Sequence, residues 1–91
     1  MSDNIREIVL DTLYELETGD NKSHLLIRDV LDKFDYLDAR DKAFYKRVSE
    51  GTITTKLTLD YVLNSISKKP MDKCKPMVRC ILRMSAYQIL F

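Results

Sequence analysis

The last sixteen residues, Pro76 to Phe91, are the most apolar stretch of the chain. They read as a helix whose apolar residues are not confined to one stripe. Val78, Ile81, Leu82, Met84, Ser85 and Ile89 cover much of its surface, and Met77, Ala86, Leu90 and Phe91 cover most of the rest. A helix that is apolar all round has to be enclosed by others. It also stops on Ile89-Leu90-Phe91, without the glycine, asparagine or basic last turn that closes most helices. The expectation is a central helix with too few partners ahead of it. On that reading the chain is a piece of a larger protein, cut just after its core helix.

The helices that precede it are marked by period and caps. Ile5, Ile8, Val9, Leu13 and Leu16 fall on one helical stripe, which predicts a first helix over about Ile5–Glu17. Asn4 with Glu7 resembles a capping box, and Gly19 ends the helix. Ser23 is placed to cap a second helix through Phe34, with Ile27, Val30, Leu31 and Phe34 inward. Asp38, with Asp41 three residues on, opens a third. Its stripe runs through Phe44, Val48, Gly51 or Thr52, Thr55, Leu59, Val62 or Leu63, and Ile66, which predicts one long helix. A glycine followed by β-branched residues (Gly51-Thr52-Ile53-Thr54-Thr55) is its weak point, where a kink or break is expected. A strand over Thr52–Thr58 would have no partner. Pro70 ends this helix and Pro76 suits the first turn of the last. The fold class is therefore all-α: an antiparallel helical bundle with short loops, incomplete at its C-terminus.

At 91 residues the chain makes one domain at most. No run of about 18 apolar residues exists to span a membrane. Met1–Asn4 offers neither a basic nor an apolar leader segment, so no signal peptide is expected. Cys74 and Cys80 form no zinc spacing and a poor disulfide framework, and are read as packing residues in a reducing cytoplasm.

Little in the chain points to catalysis. Gly19 and Gly51 are the only glycines, which excludes a phosphate-binding loop. His24 is the sole histidine and has only the adjacent Ser23 beside it, which is no catalytic arrangement. Asp29, Asp32 and Asp35 read as a solvated face, because no calcium-loop spacing accompanies them. No metal, no cofactor and no enzymatic activity are expected of these residues.

Charge is distributed unevenly. Residues 1–38 carry ten acids against four bases, and residues 39–91 carry eleven bases against four acids. Such a split hints at a face toward a polyanion. Lys68, Lys69, Lys73 and Lys75 cluster around Pro70, where they serve either RNA phosphates or ordinary solubility. Arg79 and Arg83, one helical turn apart, are candidates to bridge adjacent phosphates. Arg83 has a competing structural reading, a half-buried pairing with Asp60 or Asp11. Tyr14 and Tyr87 lie at stripe edges, placed for packing or for stacking on unpaired bases.

Three segments together resemble the NusB family. They are Arg6-Glu7-Ile8-Val9-Leu10-Asp11-Thr12-Leu13-Tyr14; then Asp41-Lys42-Ala43-Phe44 running to Gly51-Thr52 and Leu59-Asp60; then Pro76 to Ile81-Leu82-Arg83-Met84-Ser85-Ala86-Tyr87-Gln88-Ile89-Leu90. The resemblance implies an RNA-binding helical domain. The family contains free-standing antitermination factors, which bind boxA RNA beside a ribosomal protein. It also contains the N-terminal domains of rRNA cytosine-C5 methyltransferases, and the wording of the second segment resembles that branch more closely. The antitermination branch usually starts with an arginine-rich arm, whereas this chain has only Arg6 there. Arg6 matches a family arginine near the RNA side, which adds it to the RNA candidates. Further helices would cover the face around Ile89, Leu90 and Phe91. A catalytic domain using S-adenosylmethionine would lie beyond residue 91, and Cys74 and Cys80 match neither of its cysteines. Uncovered, the Ile89–Phe91 face is expected to support a homodimer or a helix swap.

Overall fold

The computed structural model describes the backbone of residues 3–91 and the side chains of residues 5–91. Five α-helices follow one another: α1 (Asp3–Thr18), α2 (Ser23–Lys33), α3 (Ala39–Thr54), α4 (Lys56–Ile66) and α5 (Pro76–Leu90). One 3-10 turn (Met71–Lys73) precedes α5, and there is no strand among the described residues. The all-α expectation holds. No helix among these is long and apolar enough to cross a membrane.

Local chemistry accounts for most boundaries. Asp38 caps α3, its carboxylate accepting from the Asp41 amide at 2.8 Å. Pro76 stands in the first turn of α5, where its missing N–H costs nothing. Two expected caps differ. Lys22, not Ser23, is the N-cap of α2, and no side chain caps that helix. Gly19 follows α1 without a left-handed turn, since no described residue has a positive φ. The expected Asn4 cap rests on a side chain outside the described residues.

The long third helix is two helices. The chain leaves α-geometry at Thr55 (φ −101°, ψ 16°), whose amide is shared between the carbonyls of Gly51 and Ile53. Thr54 and Thr55 each turn a hydroxyl back onto the carbonyl four residues earlier, at 2.7 Å in both cases. Such back-bonding competes with the helix ladder and bends it. The stripe consequently loses register: Leu59 and Leu63 stay buried, but Ile66 is 75% exposed.

Ile5, Val9 and Leu13 of α1 pack with Phe44, Tyr45 and Val48 of α3, with Cys80 and Met84 of α5, and with Ile27 of α2. A second cluster joins Leu59 and Leu63 of α4 to Met71 and Ala86. Each large apolar side chain so buried contributes about 1.5–3 kcal/mol. Tyr45, absent from the predicted stripe, is fully buried because its hydroxyl is partnered by Thr12 at 2.8 Å. Burial pushes the Tyr45 phenol pKa up.

α5 lies between α1, α3 and α4, as a core helix should. It is not enclosed by the described residues. Val78, Ile81, Ile89, Leu90 and Phe91 remain between 42% and 83% exposed.

Candidate nucleic-acid interface

The four candidate lysines sit on a turn braced from beneath. Met71 is buried under it, and the Met71 amide donates to Asn64 Oδ1 at 2.8 Å. The Lys73 amide donates to the Pro70 carbonyl at 3.0 Å and the Cys74 amide to Met71 at 3.1 Å. Lys68, Lys69, Lys73 and Lys75 stand outward from this frame, all exposed. No carboxylate within ion-pair distance of any of them is found among the described residues.

Arg79 and Arg83 are arranged in the opposite way. Arg79 donates from Nε to Glu17 Oε1 at 3.1 Å and from Nη1 to the Cys74 carbonyl at 2.6 Å. Arg83 grips Asp60 with Nε and Nη2 at 2.7 and 2.8 Å and reaches Glu17 Oε2 with Nη1 at 2.9 Å. Lys56 adds a looser contact to Glu17 at 3.5 Å. Burial acts to raise the Glu17 pKa, but the charges of Arg83 and Lys56 and the hydrogen bonds from both arginines outweigh it. The carboxyl titrates below its ordinary range. For Arg83, burial would lower the pKa, and the Asp60 and Glu17 carboxylates raise it instead. The half-buried pairing is what the structure shows for these arginines, in place of guanidiniums free to bridge phosphates. Their guanidiniums point into the bundle and are occupied, and Arg83 is only 6% exposed. Of the two acids offered for Arg83, the partner is Asp60.

Arg6 lies at the far end of the bundle from the lysine turn. Glu17, at the C-terminal end of α1, meets Arg79 near the start of α5, so the two helices run in opposite directions. Arg6 therefore faces the C-terminal end of α5. A 15-residue helix such as α5 is about 22 Å long, and the lysine turn and Arg6 are separated by roughly that length. The sequence-derived candidates form two patches and not one face.

Around Arg6 the fold gathers residues that the charge analysis missed. Its guanidinium lies 5.5 Å from the Phe44 ring centroid, and that of Arg47 lies 5.9 Å from the same ring. Tyr87 and Phe91, one turn apart on α5, stack at 5.4 Å with 22° between their planes. Phe44, Arg47, Val48, Tyr87, Gln88 and Phe91 line a cleft of about 230 Å³. Gly51 makes this approach feasible, since a Cβ there would overlap the Tyr87 ring. The spacings Phe44–Arg47 and Tyr87–Phe91 were visible in the sequence, but nothing in either helix alone shows that they converge.

The remaining candidates stay apart. His24, Asp29, Asp32 and Asp35 are exposed, and no group of three or more potential metal ligands exists among the described residues. Cys74 and Cys80 are unpaired. Cys80 packs in the core, and burial pushes its thiol pKa up.

Comparison with known proteins fits this architecture. The chain is 35% identical over 86 residues to the probable ribosomal RNA small subunit methyltransferase B of Bacillus subtilis (strain 168), covering 94% of this chain and 19% of that protein. It is 31% identical over 87 residues to the transcription antitermination protein NusB of Elusimicrobium minutum, covering 94% and 62%. To the NusB protein of Shewanella piezotolerans it is 27% identical over 89 residues, covering 94% and 63%. The chain thus spans less than two thirds of the length of these relatives. No solved structure matches it. A profile of the NusB family matches residues 3–91, and the chain belongs to that family.

Proposed function

We propose that this chain is an RNA-binding module that docks a bacterial rRNA cytosine-C5 methyltransferase on its substrate. The observation that carries the reading is the contrast between its two kinds of cation. Arg79 and Arg83 are neutralised inside the fold, whereas Lys68, Lys69, Lys73 and Lys75 crowd a braced turn with no acidic partner among the described residues. Unpaired cations on a rigid turn are suited to phosphate contacts. At the other end, Arg6 and Arg47 flank aromatic rings, a combination suited to unstacked bases. The similarity to a ribosomal RNA methyltransferase over nearly the whole chain supports that branch. The chemistry, with S-adenosylmethionine, would belong to a further domain of the parent protein, acting in the cytoplasm. Similarity to antitermination proteins supports RNA binding equally well and leaves a NusB-type antitermination role as the alternative.

The test is fluorescence anisotropy with a structured rRNA fragment across a salt series. Micromolar binding that weakens with salt is expected. Changing all four lysines to Gln should lower the slope of log K against log salt by about 3, at roughly 0.7 per phosphate contact. Absence of binding at low salt, or an unchanged slope in the variant, would overturn the assignment.

A second reading rests on the exposed apolar residues of α5. Val78, Ile81 and Ile89 share one side of the helix and form a surface suited to a second copy of the chain.

A further inference from the structure

All five helices contribute to one cavity of about 310 Å³. It lies at the break between α3 and α4. Leu13, Leu16 and Ile53 supply its apolar wall, and Glu17, Lys56 and Arg83 supply its charged side. The volume is at the lower edge of small-molecule sites, which run from about 300 to 1,000 Å³. A single water takes only about 30 Å³.

The charges around it do not balance. Two carboxylates, Glu17 and Asp60, are shared among three cations, Arg79, Arg83 and Lys56. Both arginines hold their carboxylates at 3.0 Å or less, whereas Lys56 stands 3.5 Å from Glu17 and its side chain is 47% exposed. The surplus positive charge therefore rests on Lys56, at the rim of an apolar cavity. α2 contributes in the same sense. Ser23, its first residue, lines the cavity, and no side chain caps that helix end, which carries the positive pole of the helix dipole.

Thr52 is a separate observation. It belongs to the cavity wall, is 2% exposed, and its hydroxyl has no hydrogen-bond partner among the described residues. Helical threonines divide between two χ1 rotamers. Rotation from one to the other exchanges methyl and hydroxyl at the wall, so an occupant can supply the missing partner.

We propose that this cavity binds a small amphiphilic carboxylate, with its apolar body over Leu13, Leu16 and Ile53 and its charged head at Lys56. The site is distinct from both basic patches, and the proposal does not rest on RNA binding. An occupant touches α1, α3, α4 and α5 together, so it stabilises the packing across the helix break.

The probe is sodium benzoate, titrated into the isotope-labelled chain and followed by two-dimensional amide NMR. Benzamide serves as the neutral control of equal shape. Saturable shifts centred on Leu13, Glu17, Thr52, Ile53 and Cys80 are expected. Benzamide should bind about tenfold more weakly, because it lacks the charge-assisted contact. Lys56→Met and Thr52→Val should each weaken benzoate by about fivefold. Leu16→Trp, which fills the cavity without altering charge, should abolish binding. Spectra of the variants away from the cavity report whether they remain folded. Shifts that do not saturate or that map to Ile89–Phe91 would overturn the proposal. So would equal affinity for benzamide, or full binding by folded Lys56→Met or Leu16→Trp.

Discussion

Arg83 and Asp60 form a two-pronged ion pair that joins α5 to α4 just past the helix break, at 2.7 and 2.8 Å. The same guanidinium holds Glu17 of α1 at 2.9 Å, so one side chain ties three helices together. Both members of the pair are largely removed from water, at 8% and 21% side-chain exposure. Removing Arg83 leaves the Asp60 carboxylate charged and without its partner. Arg83→Met is therefore expected to cost about 3 kcal/mol, read from the urea midpoint. Arg83→Met with Asp60→Leu should recover part of the loss, since the stranded charge is gone. A single variant as stable as the parent would show that the pair contributes no net stability.

Glu17 makes folding depend on acid. Its folded pKa is depressed below the ordinary value of 4.5. A depressed carboxyl binds protons more weakly folded than unfolded, so its contribution is full above about 4.5 and is lost as pH falls through the folded value. Glu17→Gln should lower stability at pH 7 and flatten the pH dependence below 4.5. Parallel curves for the two proteins in that range would exclude the effect.

Gly51 is needed for space, not for backbone conformation, because its φ is negative. Gly51→Ala gains about 1 kcal/mol in helix propensity. It also drives a methyl group into the Tyr87 ring. Overpacking of this kind costs about 1–3 kcal/mol. The variant is expected to be neutral to moderately destabilised, whereas Gly51→Ala with Tyr87→Ala should be more stable than Tyr87→Ala alone. A thermodynamic cycle in urea measures the coupling, and zero coupling would rule out the contact.

Arg6 and Arg47 should contribute to RNA affinity where Arg79 does not. Arg6→Ala with Arg47→Ala is expected to weaken binding of single-stranded RNA by about tenfold and to lower the salt slope by about 1.4. Phe91→Ala, which removes one ring of the stacked pair, should lower affinity by about 1–3 kcal/mol with little change in slope. Arg79→Ala should alter stability and leave the slope intact. A slope that falls in Arg79→Ala would show instead that this guanidinium leaves Glu17 and the Cys74 carbonyl to meet phosphate.

The open face of α5 predicts self-association. Sedimentation velocity should show a concentration-dependent dimer, and Ile89→Asp should restore the monomer without lowering stability, because Ile89 is 83% exposed. A monomer over the whole accessible range would argue against a second copy on this face.

The helices themselves were legible in the sequence because their causes are local. Apolar spacing in Ile5–Leu16, the Asp38 cap and Pro76 each act within a turn or two of the chain, and the weakness at Gly51–Thr55 became the observed break. The bonds of Thr54 and Thr55 to their own helix, four residues back, made it a full separation of α3 from α4. What the sequence left open was the direction in which long polar side chains are satisfied. Arg79 and Arg83 looked like a phosphate clamp because their spacing is right on an isolated helix. Only packing brought Glu17 to them, from 62 and 66 residues away. The same packing set Arg47 beside Arg6 and parted both from the lysine turn by the length of α5. Periodicity records which face of a helix is buried. Which charges meet across that face depends on how the helices cross, and only the tertiary structure decides that.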